Sequence, residues 1–344
     1  MLDKLKNLIF SLCDAPGVSG DEGEAVKVAS DVLNKYGKCS TDNLGNLICE
    51  VIPKGDYHQH ILLDAHIDEI GLMITGITDE GFLRFAPIGG VDARILSAAQ
   101  VMVHGKENLF GVIVSKPPHL TKPDEYKKAE KMDKLFIDIG YSKEAAESRV
   151  SVGDRVTMVG DGKSALGNRI ISKALDDRIS CAAIVRCLEM LCDEDVKCGL
   201  TVMFSTREEV GSQGAKTGVY ALEGVTTAVS VDITFGDSQY AGKDKCGEIG
   251  AGPMIGLSPI LDKSLSRELI DIAKRENIPY DLEVMSGRTH TTADEIMLTK
   301  CGIPTALVSI PERYAHMPIE MADLDDVENT AKLLYHFIIQ RGNI

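Results

Sequence analysis

Along this chain, short apolar runs alternate with stretches whose apolar residues recur at helical spacing, and polar clusters gather where the apolar runs stop. Residues 200–205 read as a buried strand, with Leu200, Val202, Met203 and Phe204 carrying no charge among them. Just past it stand two adjacent carboxylates, Glu208 and Glu209. Nearer the start, residues 2–13 predict an amphipathic helix. Residues 15–20 predict a turn in which Ser19 or Asp21 can cap the next helix, at 22–36, which Gly37 stops. Strands are expected at 47–52 and 61–65, the latter running into His66-Ile67-Asp68-Glu69-Ile70-Gly71. After residue 162 the same texture returns. A helix begins near Asp176 and Asp177 and places Ile184, Leu188 and Leu191 on one face; a short helix lies within 212–222, and a strand at 227–232 ends in Asp232. Then come a helix at 261–276, a strand at 280–285, a helix at 291–300 closed by Gly302, and a strand at 305–310. A loop at 311–318 carries His316, and a last helix at 323–341 turns Val327, Ala331, Leu334 and Ile338 inward. This order predicts an α/β fold, a mixed sheet flanked by helices.

Between Gly71 and Gly162 helical spacing nearly vanishes. Six apolar runs, at 72–77, 82–87, 100–104, 110–115, 135–139 and 155–159, are separated by turn signals. They predict a small all-β, barrel-like domain inserted into the α/β one, with 1–70 and 163–344 forming the larger domain and 71–162 the insertion. Residues 116–134 are rich in Lys, Pro and acids, and a mobile loop is expected there.

Composition narrows the function. The chain has 344 residues, 44% of them hydrophobic, enough for a sizeable core and about two domains. A formal charge of −15 argues against nucleic acid or an anionic membrane as partner and leaves carboxylates to spare for cations. Nine scattered cysteines without a CxxC pair fit a reduced, cytoplasmic protein, and Cys187, Cys192 and Cys198 read as small hydrophobes. Residues 1–10 are too short and charged for a secretory leader, and no apolar run reaches membrane-spanning length.

Open α/β sheets bind ligands beyond the carboxyl ends of their strands. His66, Asp68, Glu208, Glu209 and Asp232 all come directly after buried strands, Asp176 stands at the start of a helix, and His316 lies in a strand-to-helix loop. Two imidazoles and several carboxylates without a thiol suit a divalent Zn, Co or Mn ion. Each residue also has a plain structural reading: His66 as a satisfied core histidine, Asp176 and Asp177 as helix caps, Asp232 as a turn cap. Asp177 is expected to be structural and Asp176 the ligand.

Five segments carry a family resemblance: Ala65-His66-Ile67-Asp68-Glu69-Ile70-Gly71, Lys173-Ala174-Leu175-Asp176-Asp177-Arg178, Ser205-Thr206-Arg207-Glu208-Glu209-Val210-Gly211, Val231-Asp232 and Tyr314-Ala315-His316-Met317-Pro318. In this order they resemble the metal-site motifs of the tetrahedral metalloaminopeptidases, a family also labelled glutamyl aminopeptidase and endoglucanase M, and the likeness runs over essentially the whole chain. The resemblance implies a zinc-peptidase-like fold and two divalent ions per subunit. His66 and Asp232 would hold one ion and Glu209 and His316 the other, with Asp176 between them through a cis peptide to Asp177. It further implies that Asp68 orients His66, that Glu208 is the general base, and that the substrates are peptides with a free N-terminus. By the same likeness the β insertion mediates dimers that build a tetrahedral dodecamer. One segment departs from the family pattern: around Gly287-Arg288-Thr289-His290-Thr291-Thr292-Ala293-Asp294 the usual Asp is displaced or replaced by Thr292, and His290 is added as a candidate substrate contact.

Other readings compete with a cytoplasmic aminopeptidase. A deacylase or carboxypeptidase could use the same metal site, and a metal-binding shell protein could lack catalysis altogether. A glucanase needs a paired acid and nucleophile with aromatic platforms, and a chain with no Trp and 5% aromatics supplies these poorly.

Overall fold

The structure is a computed structural model and describes residues 2–120, 129–239, 242 and 246–343. Four parallel strands form its centre, in the order Gly199–Ser205, His60–His66, Thr227–Phe235 and Thr305–Arg313. The first two are buried along their whole length, which explains their unbroken apolar reading. Successive residues face opposite layers. Ile61 and Leu63 join the core under the helices Leu2–Asp14, Leu175–Leu191 and Leu324–Gly342, while Leu62 packs with Ala215 and Val219 of the helix Gln213–Ala221. Antiparallel strands extend both edges, so that among the described residues eleven strands make one mixed sheet with helices on both faces.

The chain leaves this sheet at Ile70 and forms a closed barrel from Gly71–Ile77, Leu83–Ile88, Gln100–His104, Asn108–Val114, Phe136–Asp138 and Arg155–Met158. All six apolar runs read from the sequence supply a barrel strand. Leu72, Ile74, Val101, Val103, Ile113 and Ile137 fill its own separate core. At its root the buried Glu69 carboxylate accepts from Gly17 N and from Lys173 Nζ, the latter at 2.8 and 2.9 Å. The loop expected at 116–134 lies partly outside the described residues, which omit 121–128.

Several expectations are corrected. The strand carrying Asp232 does not end there but runs on to Phe235, pairing with Ile310–Glu312 in the neighbouring strand. The helix expected at 291–300 shortens to Ala293–Ile296: the Thr291 hydroxyl accepts locally from Ala293 N, the Thr292 hydroxyl pairs with Ser230 on a distant strand, and Lys300 takes a left-handed turn. The strands Lys38–Thr41, Lys163–Ser164, Arg169–Ser172, Met254–Leu257 and Glu320–Asp323 are additional to those the pattern predicts. Asp177 does not cap its helix; its carboxylate instead accepts from His66 N at 3.2 Å.

Candidate metal centre

The parallel pairing brings three strand ends to one place. Ser205 is in register with His66, and Ser230, two residues before Asp232, with Asp64. The turn after Ser205 delivers Glu208 and Glu209. From the next layer Asp176 arrives at the start of the helix Leu175–Leu191, where Asp176 and Asp177 keep non-helical backbone and are joined by a cis peptide. His316 comes from the turn after Thr305–Arg313, with Tyr314 and His316 both at positive φ, 69° and 62°.

Asp176 is the hub. Its Oδ1 lies 3.0 Å from His66 Nε2, and its Oδ2 3.3 Å from His316 Nε2. His316 Nε2 also lies 3.1 Å from Glu209 Oε2. Two triads with ligand atoms mutually within 4.8 Å result, His66–Asp176–Asp232 and Asp176–Glu209–His316, sharing the one carboxylate. Glu208 belongs to neither triad; its Oε1 accepts from the Ser212 hydroxyl at 3.0 Å. A cavity of ≈ 820 Å³ opens over both triads, with Phe235, Leu282 and Met285 on its apolar side and His290 on its rim.

A buried layer fixes these groups. His66 Nδ1 is 3.2 Å from the Asp68 carbonyl, which can only accept, so Nδ1 carries a proton, and Nε2 faces Asp176. The Asp68 carboxylate accepts from the Ser19 hydroxyl at 2.6 Å and from the backbone N–H groups of Glu208 and Glu209 at 2.9 and 3.2 Å. Glu320 does the same across the site: its carboxylate accepts from Asp176 N at 3.2 Å and from His316 N at 3.0 Å. The segment 287–294 is organised by Asp294, which accepts from Thr289 N, His290 N and Arg288 Nε. Thr292 bonds Ser230, so the displaced acid does local structural work while His290 reaches the cavity rim.

The electrostatics are those of carboxylates crowded with too little positive charge. Burial pushes Glu209 up to about 7, and it also raises Glu208 and Asp232 above the usual carboxylate range. Burial would raise Asp176 as well, but hydrogen bonds from His316 and His66 outweigh it and leave this group low. Burial opposes a charge on His66, yet Asp176 and Asp68 raise it well above its usual value. The Asp176 and Glu209 carboxylates push His316 up to about 11.

All seven residues singled out in the sequence thus converge: six line the cavity, and Asp68 stands behind them. Ser19, Ser212, Glu320 and the pair Gly89–Gly90 also belong to the site, and sequence reasoning misses them. Ser19 reaches Asp68 and Glu320 reaches Asp176 over 49 and 144 positions, which no local pattern marks.

A family model described as M42 glutamyl aminopeptidase matches residues 45–333. The lysyl aminopeptidase of Pyrococcus furiosus is 30% identical over 335 residues, covering 95% of this chain and 94% of that one. Among solved structures, an aminopeptidase from the archaeon Desulfurococcus kamchatkensis is similar at a TM-score of 0.92 and 33% identity, over 98% of this chain and 95% of its own. The TET1 peptidase of Pyrococcus horikoshii, described as able to assemble into a tetrahedron or a large octahedral shell, is similar at 0.84 and 32%, over 98% and 99%.

Proposed function

The chain belongs to the M42 glutamyl aminopeptidase family, and we propose on that premise that it removes N-terminal residues from short peptides with two divalent ions and Glu208 as general base. The observation that carries this reading is the pair of triads sharing Asp176 beneath one cavity. The donor set fits divalent cations: imidazole nitrogens and carboxylate oxygens without a thiol, with burial raising Asp232 and Glu209 above the usual carboxylate range. His66 and Asp232 would hold one ion, Glu209 and His316 the other, and Asp176 both. Such ions, when bound, supply Lewis acidity that makes water a better nucleophile and polarises the scissile carbonyl.

The remaining work falls to the chain's own groups. Glu208 takes the attacking water's proton and returns it to the leaving amine, a role helped by burial that raises its pKa above the usual range. Ser212 fixes one of its oxygens. Asp68 sets the His66 ring and pins the turn that carries Glu208 and Glu209. Phe235, Leu282 and Met285 line the same cavity and offer apolar contacts to a substrate side chain. In this reading 1–70 and 163–344 form the catalytic domain, and 71–162 the domain that joins subunits into dimers and a dodecamer. The likeness to the P. horikoshii peptidase, which forms closed shells, supports the assembly. Nine free cysteines support a cytoplasmic setting.

The test is hydrolysis of aminoacyl-anilides by chelator-stripped protein reloaded with Zn, Co or Mn, beside N-acetylated substrates. Activity is expected only on free amines and only after reloading. Glu208→Gln should lower kcat by about 10²–10⁴ with metal content unchanged. Metal-loaded wild type that is inactive on every free-amine substrate overturns the reading.

A further inference from the structure

We propose that the inserted barrel helps to build the metal centre, through a wall without side chains at Gly89–Gly90, in which Gly90 is the positioning residue for His316. The inference rests on reading the two triads as metal-holding. The pair directly follows the barrel strand Leu83–Ile88. A Cβ on Gly90 would stand 2.5 Å from His316 Nδ1 and 2.9 Å from its Cε1. One on Gly89 would stand 2.8 Å from Ile70 Cγ2, 3.2 Å from Glu209 Cβ and 3.4 Å from its Oε2. Both glycines therefore press backbone against the two side chains that close the second triad with Asp176.

The two positions differ in kind. Gly89 has a φ of +75°, where any side chain is strained, so backbone alone explains a glycine there. Gly90 does not have a positive φ, and its bareness answers to the imidazole across from it. Carbon and its non-bonded neighbours settle at about 3.5–4.0 Å, so a methyl at 90 forces a shift of about 1 Å. The imidazole cannot yield by that much and stay in place. Its Nε2 faces Glu209 Oε2 at 3.1 Å and Asp176 Oδ2 at 3.3 Å, and its backbone N–H is tied to Glu320 at 3.0 Å. A methyl on this wall moves the ring out of the triad and leaves the His66–Asp176–Asp232 triad alone.

The test compares Gly90→Ala with Gly23→Ala, a glycine with nothing within 4 Å of an added Cβ. Cobalt uptake, the visible Co(II) spectrum and the crystal structure of the metal-free variant are the readouts. Gly90→Ala should bind one of two ions about 10- to 100-fold more weakly, change the Co(II) spectrum, and show the His316 ring displaced from Asp176 and Glu209. Gly23→Ala should match the wild type. If Gly90→Ala fails to fold, Gly90→Ala/His316→Ala should fold, since the clash is gone; a double variant that stays unfolded overturns the inference. So do unchanged cobalt affinity and spectrum, or a crystal structure with the ring in place. Wild type that takes up no cobalt sinks the metal reading itself, and the ring position in Gly90→Ala still decides the wall.

Discussion

Glu320 is a carboxylate that holds two of the proposed metal-binding residues by their backbones, Asp176 from a helix start and His316 from a turn with positive φ. Removing it frees two orphan N–H groups and a turn with positive φ at Tyr314 and His316. Glu320→Ala should weaken metal binding by about 10- to 100-fold, and Glu320→Gln less, because the amide oxygen still accepts one of the two bonds. Calorimetric titration with Zn or Co checks this, and equal affinity for Glu320→Ala and wild type would refute it. The seven polar residues are legible because most of them break an apolar pattern near the carboxyl ends of strands, where a sheet presents ligands. Glu320 is not legible: it sits in Glu-Met-Ala-Asp, which has no strand signature, and its partners lie 4 and 144 positions away.

Among elements, the central strands and most helices follow from periodicity because burial on both faces leaves a long apolar imprint. Three of the missed strands have no such imprint. Lys38–Thr41 is a polar edge strand, Lys163–Ser164 has two residues, and Glu320–Asp323 exists through its pairing with Arg169–Ser172. The last helix shows how an element can carry a pH-sensitive joint. Asp326, on the helix Leu324–Gly342, accepts from Gly250 N and Gly252 N at 2.7 Å each, and burial still pushes it up to about 7. An acid raised in the folded state keeps a proton that the unfolded chain has lost. Its neutral form therefore costs nothing near pH 4, and stability falls as pH rises from there through about 7, by an amount on the order of 4 kcal/mol. Asp326→Asn should gain on the wild type steadily over that range in chemical denaturation. The same difference between the two proteins at pH 5 and pH 8 would show that burial does not govern this carboxylate.

At the scale of the whole molecule, the sheet and the barrel have separate apolar cores, and among the described residues no helix is long and apolar enough to cross a membrane. The proposed assembly predicts that light scattering on the purified protein gives a mass several-fold above the 37.2 kDa of one chain. A single 37.2 kDa species across micromolar concentrations would remove the barrel's proposed joining role. None of this organisation between chains is legible in the sequence beyond its family likeness, because strand texture reveals a barrel but not what its outer surface meets.

The barrel starts at Gly71, three residues after Asp68, and sends Gly89–Gly90 back against Glu209 and His316. If the barrel joins subunits and the triads hold two ions as proposed, an engineer who exchanged it for another module, cutting where the sheet hands over, would remove a piece of the site along with the connector. The chimera would fold around its own hydrophobic interior and starve for its second ion, and transplanted loops would have to arrive with the same bare patch to feed it.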